Sequence, residues 1–113
     1  MTIRQLHQWY KRYNKKWFDN RLPAEVAMSF VDQTALPDEG GLCTTYQGTN
    51  ATTPIHSLHF EKRFADCDNL LKFFLIHEMA HVAAYPNELK PHDQAFQNQM
   101  CILAFRGALK ELW

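Results

Sequence analysis

The stretch Leu70-Leu71-Lys72-Phe73-Phe74-Leu75-Ile76-His77-Glu78-Met79-Ala80-His81-Val82-Ala83-Ala84-Tyr85 decides how this chain folds. Its apolar residues fall on nearly every side of a helical wheel, so a helix here has to be buried almost all round. Asp66 or Asp68 is placed to cap its start, and Pro86-Asn87 stops it. Lys72, His77, Glu78 and His81 interrupt the run, which is also too short to span a bilayer. The reading is therefore a central core helix. Two imidazoles and a carboxylate inside such a helix pose a conflict, because burying them without partners costs several kcal/mol.

A metal ion resolves it. His77 and His81 stand four apart, so both imidazoles project from one helical face and can reach the same ion. Glu78 points beside them, where its carboxylate can hydrogen-bond a metal-activated water without ligating the metal itself. Zinc lowers the pKa of such a water toward about 7, and Glu78 can take its proton during attack on a peptide carbonyl and return it to the leaving amine. A catalytic zinc keeps three protein ligands and one open position. His92, beyond a Pro-bounded loop, is the expected third ligand, with Glu88 in the loop and Glu111 near the end as competitors. A histidine six residues after His81, a familiar zinc-protease spacing, is absent, for Asn87 stands there.

Working outward, Thr2 and Gln5 form a capping-box signal ahead of Ile3, Leu6, Tyr10, Tyr13 and Trp17, which cluster within about 80° of a helical wheel. The spacing predicts a first helix over 3–19, with one packing face and one cationic face carrying Lys11, Arg12, Lys15 and Lys16. Val26, Met28 and Phe30 alternate as a half-buried strand does, 42–47 is rich in strand formers, and 55–60 reads as a third strand after the turn chemistry of 48–54. A last helix is expected over 92–112, with Phe96, Met100, Leu103 and Leu109 inward. The class is α+β: a small three-stranded sheet, with one hairpin, packed on the buried helix and flanked by the terminal helices.

Composition sets the outer limits. At 113 residues the chain predicts one domain, 1–113. Its 46% apolar and 21% charged residues exclude disordered and collagen-like readings. Twelve Lys and Arg balance twelve Asp and Glu, so no net field draws polyanions or membranes. Six of the basic residues nevertheless lie in 1–21. Cys43, Cys67 and Cys101 are odd in number and lack a CxxC pair, which points to a reducing compartment and to small buried side chains. No apolar leader opens the chain, so the expectation is a cytoplasmic protein, away from membranes and monomeric.

His77-Glu78-Met79-Ala80-His81, followed by His92-Asp93-Gln94-Ala95-Phe96 and Met100, resembles the SprT-like/Spartan metalloprotease domain, whose pattern is HExxH and then H-G-x-x-F. Tyr13-Asn14, Trp17-Phe18 and Leu22-Pro23 are similar to the family's opening stretch, Gly41-Leu42-Cys43 to a strand motif, and 55–60 to the strand before the active-site helix. The resemblance implies a zincin-like fold and one Zn2+ per chain, held by His77, His81 and His92, with Glu78 as general base. Asp93 stands where the family has Gly, and a carboxylate there could hold His92 in its ligating orientation. Trp113 ends the sequence before any zinc ribbon, so a minimal form is expected, one for which DNA-coupled proteolysis is not implied.

Tyr46 and Tyr85 could stabilise an oxyanion, and His59 could face substrate; packing aromatics and strand-edge histidines are the plainer readings of these and of His56. The cationic face of the first helix could contact phosphates weakly, or simply be solvated. The function expected is zinc-dependent cleavage of a protein or peptide, with DNA-associated proteins among the candidate substrates. The alternatives are a non-catalytic nucleic-acid- or protein-binding module with a structural zinc, and a hydrolase of other amides.

Overall fold

The computed structural model describes residues 1–32, the backbone of 41–46, and 55–112. The first helix, α1, runs Ile3–Trp17 and opens on the expected capping box: the Gln5 N–H donates to Thr2 Oγ1 at 3.2 Å and the Thr2 N–H to Gln5 Oε1 at 2.8 Å. Leu6, Tyr10, Tyr13 and Trp17 are buried along one face. Asp19 and Asn20 follow with φ of 53° and 59°, turning the chain sharply. Asn14, also buried, braces this turn. Its amide donates to the Leu22 carbonyl and accepts from the Leu22 N–H, both at 3.1 Å, while the Tyr10 hydroxyl donates to the Pro23 carbonyl at 2.6 Å. Asn14→Ala removes both amide bonds and leaves two backbone groups unsatisfied in an apolar setting. A loss of roughly 2–4 kcal/mol is expected, and urea unfolding would reveal it; an unchanged midpoint would mean that water replaces the amide.

Three strands follow: β1 (Ala27–Val31), β2 (Gly41–Tyr46) and β3 (Ile55–Glu61). Their order is β1-β3-β2. β3 pairs parallel with β1, Met28 opposite Leu58, and antiparallel with β2, Cys43 opposite Leu58. His56, Leu58 and Phe60 are buried, whereas Ser57 and His59 on the other face are only half-buried, the period of two that a sheet covered chiefly on one side requires. The loop expected over 37–40 and the turn over 48–54 lie outside the described residues.

Glu61, buried at the end of β3, pairs with Arg63 in the short 3-10 turn Lys62–Phe64. The central helix α2 then runs Asp68–Ala84, with Cys67 rather than Asp66 or Asp68 at its cap. Leu71, Leu75, Ile76, Met79, Ala80 and Val82 are buried with Leu58 and Phe60 of the sheet and Leu6 and Tyr10 of α1 in one core. Each fully buried large side chain contributes about 1.5–3 kcal/mol. The last helix, α3, runs Gln94–Arg106, shorter than the expected 92–112. Asp93 caps its start, and Gly107 at φ 90° ends it in the left-handed conformation that glycine adopts without strain. A 3-10 turn over Lys110–Leu112 buries Leu112. Arg106 reaches back to α1, donating to the carbonyls of Trp17 at 2.7 Å and Lys16 at 3.2 Å and pairing with Asp19. It thus satisfies carbonyls that the helix end leaves open.

The architecture is α+β. Among the described residues no helix is long and apolar enough to cross a membrane. Two expectations for cysteine are overturned: Cys67 and Cys101 are exposed, one at a helix cap and one on the outer side of α3, and the side chain of Cys43 lies outside the described residues.

Candidate metal centre

His77 and His81 lie one turn apart on α2, their ring centres 5.1 Å apart. His92 comes from the loop that joins α2 to α3, where it has a φ of 60° and is not part of the helix. A residue with a side chain adopts this left-handed conformation at a cost of roughly 1–2 kcal/mol, and here it turns the imidazole back toward α2. The three rings offer nitrogens that all lie within 4.8 Å of one another. His77 Nε2 and His92 Nε2 are 3.0 Å apart. Ligand nitrogens on a tetrahedral zinc stand about 3.3 Å apart, so the cluster is already near the spacing such an ion requires.

Phe96, buried on the first turns of α3, floors the cluster. Its ring stacks on His81 with centres 4.2 Å apart and an interplanar angle of 24°, and contacts His77 and His92 at 4.9 and 4.8 Å. Burial first, and the neighbouring His81 and His92 second, push the His77 pKa down to about 4, so this imidazole is neutral near pH 7 and keeps a nitrogen lone pair for a metal. Glu78 is 3% exposed and places Oε1 4.0 Å from His77 Nε2, beside the cluster and on the same helix. Three converging imidazoles with a flanking carboxylate suit zinc as a donor set.

The carboxylate that braces these histidines is Glu88, not Asp93. Glu88 accepts a bond from His81 Nδ1, 2.7 Å from one oxygen and 2.9 Å from the other, and also the His92 backbone N–H at 2.9 Å. Asp93 instead takes the N–H groups of Leu89 at 2.8 Å, Lys90 at 3.2 Å and Ala95 at 3.1 Å. These backbone bonds, that from Leu89 foremost, hold its carboxyl below the usual range. Asp93 therefore ties the loop to the helix start and does not orient the His92 ring. In sequence, Glu88 offers only its place in a Pro-bounded loop close to His81, which suggests a rival ligand and not a brace.

The remaining candidate positions are dispersed. Tyr85 caps α2 one turn beyond His81, 37% exposed, its ring edge-on to His56 with centres 5.3 Å apart. His56 is thus neither solvent-facing nor at a strand edge: it is buried on the central strand, and burial lowers its pKa. His59 is on the opposite face of that strand, its Nδ1 2.8 Å from Ser29 Oγ, so the strand places His56 and not His59 on the side of α2. The Tyr46 side chain lies outside the described residues. Lys11, Arg12, Lys15 and Lys16 are exposed, but two are engaged: Arg12 lies over the Trp9 ring at 4.8 Å, and Lys16 bonds Glu111 at 2.5 Å. Trp9, Tyr13, Arg12, Lys15, Lys16 and Glu111 line a groove of about 500 Å³ that shares no residue with the histidine cluster.

No curated protein and no solved structure matches the chain. The family model of the SprT-like family matches residues 6–108, a span that holds most of α1, the sheet, the three clustered histidines and α3. By that match, the chain belongs to the SprT-like family.

Proposed function

We propose that the protein is a zinc-dependent endopeptidase, with His77, His81 and His92 holding one zinc and Glu78 acting as general base. The convergence of three imidazole nitrogens within 4.8 Å of one another, beside a buried glutamate, carries this reading. Membership of the SprT-like family supports a metalloprotease-like domain. Bound zinc would supply Lewis acidity, lowering the pKa of a water toward about 7. Glu78 accepts the proton of the attacking water and delivers it to the leaving amine, and its burial keeps competing solvent from the carboxylate. Burial also keeps the His77 imidazole neutral, the form in which it can donate to a metal.

An extended peptide is the substrate shape that a small sheet accepts, because an edge strand offers backbone hydrogen bonds that align the chain. A purely structural zinc needs no carboxylate beside its ligands, so the buried Glu78 favours the enzyme over a binding module. The test is metal analysis of the purified protein together with cleavage of casein, with and without added DNA. Stoichiometric zinc with turnover is the expected result. Zinc without any turnover on casein or on the protein itself would favour the structural reading, and the DNA arm asks whether the basic face of α1 contributes.

A further inference from the structure

We propose that Glu88 is the positioning residue of the histidine cluster, fixing which nitrogen of His81 faces the other two rings and holding His92 in the left-handed backbone conformation that completes the set. This rests on the reading of the three histidines as a metal site. Glu88 is half-buried, its side chain 13% exposed, and both of its oxygens face His81 Nδ1. An ionised carboxylate only accepts, so Nδ1 must carry the proton and Nε2 is left as the ligating atom. A ligand histidine whose second nitrogen is held this way presents a fixed, more basic donor.

The second bond reaches the other side of the loop. His92 has a φ of 60°, and its N–H donates to Glu88 Oε2. The same oxygen thus bonds one ligand through its ring and another through its backbone. Glu88 is itself anchored, its N–H donating to the Ala84 carbonyl at 3.1 Å at the end of α2. The position of His92 is thereby referred to the helix that carries His77 and His81, through a single side chain. Asp93 ties Leu89 and Lys90 of the same loop but touches neither ligand ring, so it cannot substitute for this link.

Glu88→Ala and Glu88→Gln separate this role from its rivals. Zinc affinity, read by chelator competition, is expected to fall about 10- to 100-fold in Glu88→Ala. It should fall less in Glu88→Gln, whose amide oxygen can still accept a bond. Cobalt-loaded Glu88→Ala at saturating metal should keep the wild-type visible spectrum, because the three nitrogen ligands are unchanged. In the metal-free protein, 15N shifts of labelled histidine should show the Nδ1–H form of His81 in the wild type and its loss in Glu88→Ala. An altered cobalt spectrum would make Glu88 a ligand and overturn the proposal. So would unchanged zinc affinity with an unchanged His81 tautomer. If Glu88→Ala fails to fold, the graded loss and the tautomer in Glu88→Gln decide. A wild type that binds no zinc refutes the metal reading itself, and the metal-free tautomer measurement still judges the clamp.

Discussion

Replacing Glu78 with glutamine is expected to stop peptide hydrolysis while leaving zinc in place. The two side chains share shape and volume, so a residue that is 3% exposed and packed within α2 can be exchanged without a cavity or a clash. What changes is the capacity to accept a proton. General-base assistance is worth about 10²–10⁴ in rate, and an amide supplies none of it. His77, His81 and His92 are untouched, so the metal content should match the wild type. The measurement pairs zinc analysis with turnover on casein. Full turnover with intact zinc would remove Glu78 from the mechanism, and loss of zinc would recast it as a ligand or a folding residue.

His77→Ala, His81→Ala and His92→Ala should each reduce bound zinc from one per chain to a substoichiometric trace in dilute metal, and abolish activity with it. On the proposed three-histidine reading, loss of one ligand leaves a pair too weak to compete with buffer. His92→Ala is the most informative of the three, because Glu88 already lies 2.7 Å from His81 and is the nearest alternative donor. Retention of stoichiometric zinc at wild-type affinity in that variant would transfer the third position to the carboxylate. Circular dichroism of each metal-free variant separates loss of metal from loss of fold.

How much of this could be read in the sequence depends on how local each feature is. His77, Glu78 and His81 are set by helical periodicity alone, and the Thr2–Gln5 capping box by a spacing of three. The α1 cap and the burial of α2 were legible for the same reason. The start of α3 was not, because His92 precedes the Asp93 cap with a positive φ that no periodicity encodes. The brace from Glu88 depends on that loop conformation, so only its nearness to His81 was visible. Alternation in 26–30 and the turn chemistry ahead of 55–60 identify strands without saying which neighbours which, and the parallel pairing of β1 with β3 is a long-range outcome. Cys67 and Cys101 mislead because composition favours burial of cysteine, whereas a helix cap and an outer helix face expose them here.

The bonds from Arg106 to the C-terminal end of α1 bear on the time course of folding. They join residues 89 and 90 positions apart in sequence, so nearly the whole chain is enclosed by them. Closing a loop of that length early is entropically unfavourable, whereas α2, the β2–β3 pair and the short segment from His77 to His92 can assemble from nearby residues. The guanidinium is therefore expected to lock onto α1 after the other elements have docked, with its bonds present in the native state but not in the barrier that precedes it. Contacts of that kind act on the rate of unfolding and leave the rate of folding nearly unchanged. A chevron in which disrupting them slowed only the folding arm would reverse this order. On that order the fold would gain persistence from its last contact, one that holds the cationic helix against the element that opens with the floor of the histidine cluster.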